Sequence, residues 1–238
     1  MSSNTTKTGE RETVDKLTKD MELVDIGGEE FSLVFLAERF KKCQEDEGMA
    51  VQEYITGYKE IYKFLCLMGT VFGWVGSDVY DKVVLLEKYL AGDKQEHYRT
   101  VKSMIAFEVK NDLIKTKKKD DQSGSRTLLR LHRALEYIYE FLGSLEDIDD
   151  ETSVGQVSKD AYEKSLMKYH PWIVQKAAKL GMGMLPSKKG LIQKIVPDED
   201  QAKLEKARKD FPRAVEEMRR TYDKTQVVYK EHNLLNIA

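Results

Sequence analysis

The stretch Gly124-Ser-Arg-Thr-Leu-Leu-Arg-Leu-His-Arg-Ala-Leu-Glu-Tyr-Ile-Tyr-Glu-Phe-Leu-Gly-Ser-Leu145 decides the fold class. Leu128, Leu131, Leu135, Ile138 and Leu142 recur at steps of three and four, the period of one helix face. Arg126, Arg130 and Arg133 fall at i, i+4 and i+7, so the same helix sets three guanidinium groups on one stripe. That stripe continues into Tyr137 and Phe141, while His132, Glu136 and Glu140 mark the polar side. The arginines therefore border apolar surface. Cations in such a place need an anion, supplied either by acids of a neighbouring helix or by a ligand.

Outward from this segment the chain repeats the pattern. Apolar residues at three and four predict helices near 31–46, 50–67, 70–91, 95–113, 125–144, 155–169, 172–183 and 199–231, with one further turn at 188–195. Strand-like alternation is scarce. Four prolines, at 171, 186, 197 and 212, fall mostly between the periodic segments. Lys117–Lys119 with Asp120 and Asp121 reads as a solvated loop. The polar opening residues are expected to be a disordered segment over 1–29, followed by a single all-α domain over 30–238.

Composition narrows the function classes. Across 238 residues, 39 Lys and Arg stand against 41 Asp and Glu, a net charge of −2 that argues against general nucleic-acid binding. No run of about 18 apolar residues offers a membrane span. Cys43 and Cys66 lack metal-ligand spacing, so a reduced cytoplasmic protein without metal or cofactor is the simplest reading. The chain lacks a Gly-x-Ser-x-Gly turn, a His-Glu-x-x-His helix and a phosphate-cradling glycine loop, so no catalytic residues are nominated and the protein is not expected to be an enzyme.

Two further features accompany the arginine stripe. Asp78 and Lys82, four apart, interrupt a stripe carrying Val71, Val75, Leu85 and Tyr89. The pair reads either as an ordinary ion pair at a helix edge or as part of a polar site. A carboxylate only accepts hydrogen bonds, so Asp78 suits N–H and O–H groups of a ligand, whereas Lys82 and the planar forks of the arginines suit phosphate. His170 lies in Tyr169-His-Pro-Trp172, where Pro171 disfavours helical geometry at the histidine and suits the first turn of the next helix. It reads either as a helix-end residue bonded to backbone or as an imidazole donor to a ligand carbonyl. His97, His132 and His232 read as surface residues.

Asp-x-x-x-Lys at 78–82, Ser-Arg-Thr-Leu-Leu-Arg-Leu-His-Arg at 125–133 and Tyr-His-Pro-Trp at 169–172 together resemble the glycolipid transfer protein superfamily, closest to its ceramide-1-phosphate branch, over about residues 30–232. The resemblance implies a two-layer sandwich of helices enclosing an apolar lipid pocket. It also implies that Asp78 takes the sphingoid amide and hydroxyl, and that His170 takes the acyl-amide carbonyl. Lys82, Arg126 and Arg130 would hold the head-group phosphate. Glycolipid-carrying members have Asn where this chain has Lys82 and Trp where it has Arg130, so the resemblance favours phosphate over sugar. Arg133 receives no clear assignment and is expected to be either an outer charge of the site or a surface residue.

The expected function is non-vesicular transfer of a phosphorylated sphingolipid, ceramide 1-phosphate in the first place. The alternatives are a sphingolipid sensor or adaptor, and a glycolipid carrier. Hydrocarbon tails bury about 0.8 kcal/mol per CH₂ and so supply affinity without selection; the polar site must select. Trp172, with Lys188 and Lys189 beside Leu191 and Ile192, is the expected contact with membrane surfaces. The protein is expected to work as a cytoplasmic monomer that touches membranes transiently.

Overall fold

The computed structural model describes residues 30–115, 123–196 and 201–238. The expected opening segment 1–29 and the 117–121 loop lie outside them. The described residues form α1 (Leu33–Cys43), α2 (Val51–Leu67), α3 (Thr70–Ala91), α4 (Gln95–Tyr98), α5 (Val101–Lys110), α6 (Gly124–Ser144), α7 (Val154–Lys164), α8 (Trp172–Met182), α9 (Lys188–Ile195) and α10 (Gln201–Glu231). Single 3-10 turns follow α5 at Leu113–Lys115 and α7 at Met167–Tyr169. Among the described residues no strand forms; two isolated bridges, Ala50 with Thr100 and Ser153 with Ser187, clip loops together.

The helix starts are written locally. Side-chain hydroxyls of Ser32, Thr100, Ser123, Ser153 and Ser187 accept from the first-turn amides of α1, α5, α6, α7 and α9. Such caps also explain two departures from periodicity. The expected helix over 95–113 breaks at Thr100, which forms a reciprocal capping box with Ser103 and so begins α5 anew. The expected helix over 155–169 ends at Lys164, and the chain tightens into the 3-10 turn that presents His170. The single turn expected at 188–195 is an eight-residue helix, α9.

α6 is central, and nearly its whole circumference is buried. Its amino end receives a carboxylate from α5: Glu108, fully buried, accepts from the amides of Gly124 at 2.7 Å and Ser125 at 3.0 Å. A negative charge there answers the orphan amides and the positive end of the helix dipole. Phenols tie α6 to its neighbours. Tyr58 of α2 donates to the carbonyl of Leu131, and Tyr229 of α10 donates to that of Ser125 at 2.7 Å.

Packing runs from α1 to α2, α2 to α3, α3 to α6, α6 to α10 and α10 back to α1, with α7 beside α6. This closed circuit holds one apolar core between two layers of helices. The close approach of α1 and α2 depends on Gly57, where a Cβ would sit 3.0 Å from the Phe40 ring. α10 carries Pro212 within it, and its burial stripe begins just beyond, at Ala214, Val215, Met218, Thr221, Thr225, Val228 and Tyr229. That long charged helix is thus a packed element over its carboxyl-terminal part. Cys43 is buried and its Sγ meets the carbonyl of Ala50 at 3.4 Å, while Cys66 is half-buried on α2.

Candidate functional site

Three elements meet around the nominated residues. α3 supplies Asp78 and Lys82, one turn apart. The Lys82 ammonium lies 2.6 Å from Asp78 Oδ1 and donates to its main-chain oxygen at 3.0 Å. The lysine side chain is 16% exposed and the aspartate 71%, so the cation lies against protein while the carboxylate faces outward. The pair is therefore a helix-edge ion pair in geometry, with the carboxylate still able to accept from a ligand. Solvent screening leaves such an exposed pair easy to exchange for another partner.

α6, packed on α3, supplies the arginines. Arg126 and Arg130 are half-buried on its first turns, and Arg126 Nε donates to the Ile114 carbonyl at 3.1 Å, which spends one donor of its fork. Arg133 departs from its stripe-mates. It is 7% exposed, so it is not a surface residue. Its guanidinium donates to the main-chain oxygens of Ala238 at 2.6 Å and Leu235 at 2.7 Å and stacks 3.9 Å above the Tyr169 ring.

His170 follows the 3-10 turn with extended backbone, as the following proline requires. Its Nδ1 pairs with the Tyr162 hydroxyl at 2.8 Å, and Gln175 Nε2 holds its carbonyl at 2.8 Å. With the phenol donating to Nδ1, the ring proton sits on Nε2, which becomes the free donor. Burial lowers the imidazole pKa; Asp78 opposes that shift and Lys82 adds to it, so the α3 pair and His170 lie within electrostatic reach of one another. Tyr162 was not legible as a site residue, since nothing in an eight-residue separation marks the contact. Trp74, one turn before Asp78 on α3, buries an indole N–H with no hydrogen-bond partner among the described residues.

The docking nominees divide. Trp172 is 67% exposed at the start of α8 and Ile173 beside it is 60% exposed, while Met184, past the other end of the helix, is 72% exposed. The Lys176 ammonium sits 4.1 Å over the Trp172 ring. The signal for this face was the consecutive run Trp172-Ile-Val174, because three successive helical positions cannot all face one core. Lys188 Nζ donates to the Ile148 carbonyl at 2.8 Å and so ties α9 to the preceding loop, whereas Lys189 is 59% exposed and only 4.0 Å from the still more open Glu151, which leaves its ammonium at the surface. Leu191 is buried at 1% exposure, so it has no surface to offer a membrane. His132, expected at the surface, is also 1% exposed. It stacks on Tyr222 and pairs through Nε2 with Gln226 at 2.7 Å. The helical nature of both segments was legible; the crossing of α10 over the polar side of α6 was not.

Among the described residues, no group of three or more His, Cys, Asp or Glu is placed to hold a metal, and no helix is long and apolar enough to cross a membrane. Three of the cavities among the described residues, of about 320 to 520 Å³, are lined by none of Asp78, Lys82, Arg126, Arg130 and His170.

A helical sandwich with no strand among the described residues, whose α3 carries Asp78 and Lys82 within electrostatic reach of His170, has the glycolipid-transfer-protein fold. The chain belongs to the glycolipid transfer protein family, whose model (Glycolipid transfer protein, GLTP) matches residues 49–197. It is 35% identical over 213 residues to the ceramide-1-phosphate transfer protein of Xenopus laevis, covering 88% of this chain and 97% of that one. The apo-form crystal structure of mouse ceramide-1-phosphate transfer protein superposes with a TM-score of 0.80 at 32% identity, covering 88% of this chain and all of the mouse chain. The human ceramide-1-phosphate transfer protein in complex with 2:0 ceramide-1-phosphate superposes with a TM-score of 0.77 at 30% identity and covers 88% of this chain.

Proposed function

We propose that this protein extracts ceramide 1-phosphate, or a closely related phosphosphingolipid, from one membrane and delivers it to another without breaking a bond. The observation that carries this reading is the coincidence of phosphate-type cations with amide-type partners. Lys82, Arg126 and Arg130 would share the phosphate, Asp78 would accept from the sphingoid amide and hydroxyl, and His170 Nε2 would donate to the acyl-amide carbonyl. The likeness to proteins named for ceramide 1-phosphate supports the same choice of head group. Tails would enter by parting the helices around the core, since an apolar interior takes hydrocarbon without selecting it.

The carrier would work as one domain over 30–238, monomeric and cytoplasmic, docking through the exposed start of α8. Trp172 would enter the headgroup layer, with Lys176 beside it on anionic lipid. Lys189, exposed on α9, would add a further cation, while the Lys188 ammonium is held by the Ile148 carbonyl.

Vesicle-to-vesicle transfer of a fluorescent ceramide 1-phosphate tests the site. Arg130→Ala and Lys82→Ala are each expected to slow it about tenfold or more, the scale of losing a charge-assisted hydrogen bond. Wild-type transfer by either variant, or equal competition by galactosylceramide, would overturn the assignment of the head group.

A further inference from the structure

Arg133 is a buried cation that meets two main-chain oxygens and the Tyr169 ring. A planar fork bonded in this way acts as a fastener with direction: it fixes where the 235–238 segment lies relative to α6. That segment is also held by its own packing. Asn233 turns the chain with φ +56°, the Leu234 amide bonds the Tyr229 carbonyl at 3.0 Å, and Leu234, Leu235 and Ile237 rest on the core.

The other face of the same guanidinium lies 3.9 Å over the ring of Tyr169, the last residue of the 3-10 turn and the neighbour of His170. The turn is otherwise held from the α7 and α8 sides, with Leu166 and Met167 packed on the core. Tyr162 holds the imidazole, Gln175 holds the carbonyls of Met167 and His170, and Tyr169 itself is 39% exposed. One side chain therefore touches both the carboxyl-terminal segment and the turn that presents the amide-binding histidine.

We propose that Arg133 is a positioning residue: with Tyr169 it forms a strap through which the 234–238 segment holds the His170 turn in its lipid-binding geometry. The proposal rests on the reading of His170 as the acyl-amide donor. Arg133 itself does not touch the lipid in this account. Its loss releases the turn on one side and the carboxyl-terminal segment on the other, and the imidazole then samples orientations in which Nε2 misses the carbonyl.

Hydrogen–deuterium exchange on the full chain, together with ceramide 1-phosphate transfer, tests the strap. Arg133→Met is expected to raise exchange in both 167–171 and 233–238 and to weaken transfer about tenfold, the scale of misplacing a ligand hydrogen bond. Tyr169→Leu, at a half-exposed position that tolerates change, is expected to raise exchange in 167–171 and to lower transfer similarly. The double variant is expected to be no worse than Arg133→Met alone, because the two act through one contact. Additive losses, or faster exchange confined to 233–238, overturn the strap; so does wild-type transfer by Arg133→Met. Exchange is read without lipid, so coupled loosening in a protein that transfers no ceramide 1-phosphate would remove the proposed function and leave the mechanical tie standing. If Arg133→Met does not fold, Tyr169→Leu alone decides: unchanged exchange at 167–171 and unchanged transfer sink the proposal.

Discussion

Tyr162 makes the imidazole of His170 a directed donor. The phenol is buried, its ring meets Tyr137 edge-on, and burial pushes its pKa up to about 12, so it keeps its proton at neutral pH. Tyr162→Phe retains the ring and removes only the hydroxyl. It is expected to leave Nδ1 without its partner, mix the two tautomers and weaken ceramide 1-phosphate binding by about tenfold, with nitrogen-15 imidazole shifts reporting the tautomer change. At this scale the sequence was half-readable. Asp78, Lys82, Arg126, Arg130 and His170 stand in local patterns that can be quoted. Tyr162 and the fate of Arg133 depend on contacts across 8 and about 100 residues, which no spacing encodes.

Among the elements, α8 is the one whose burial its sequence does not explain by core packing. Trp172, Ile173 and Val174 are exposed together at its start, and only the far end of the helix, at Gly181 and Met182, is buried. If this face docks on lipid, Trp172→Ala should slow vesicle transfer several-fold while leaving binding of a short-chain, water-dispersed ceramide 1-phosphate unchanged, since an indole contributes on the order of 1–2 kcal/mol at an interface. Equal losses in both measurements would make Trp172 a binding-site residue instead. Helix positions were readable from periodicity because the longer elements each carry an apolar stripe, and α1, α5, α6, α7 and α9 also carry a hydroxyl cap. The breaks at Thr100 and Lys164 were missed because apolar period continues through both, and only the hydroxyl cap and the 3-10 turn interrupt the backbone.

Among the described residues, His132 is the most deeply buried imidazole with a lowered pKa, and it makes the fold as a whole sensitive to acid. His132 lies between α6 and α10 with its pKa depressed to about 4 by burial, against an ordinary 6.5. The unfolded chain therefore binds a proton that the folded chain refuses. Stability is intact above pH 6.5 and falls through the window from 6.5 to about 4, a loss of roughly 3 kcal/mol if the whole difference is realised. Urea unfolding at pH 7.5 and 4.5 should show that loss in wild type and a flatter dependence in His132→Phe; identical slopes would remove His132 as the cause. The all-helical class was readable from sequence, whereas the closure of α10 onto α6, which buries this histidine, is a property of the assembled circuit. The same closure, with α1 laid against α2, shuts Cys43 away and pushes its thiol far above its ordinary pKa, while Cys66 keeps part of its surface in solvent. A thiol-directed fluorophore will therefore mark one position in the native chain, on α2 beside α3, giving a spectroscopic reporter of how the layers move that requires no engineered cysteine.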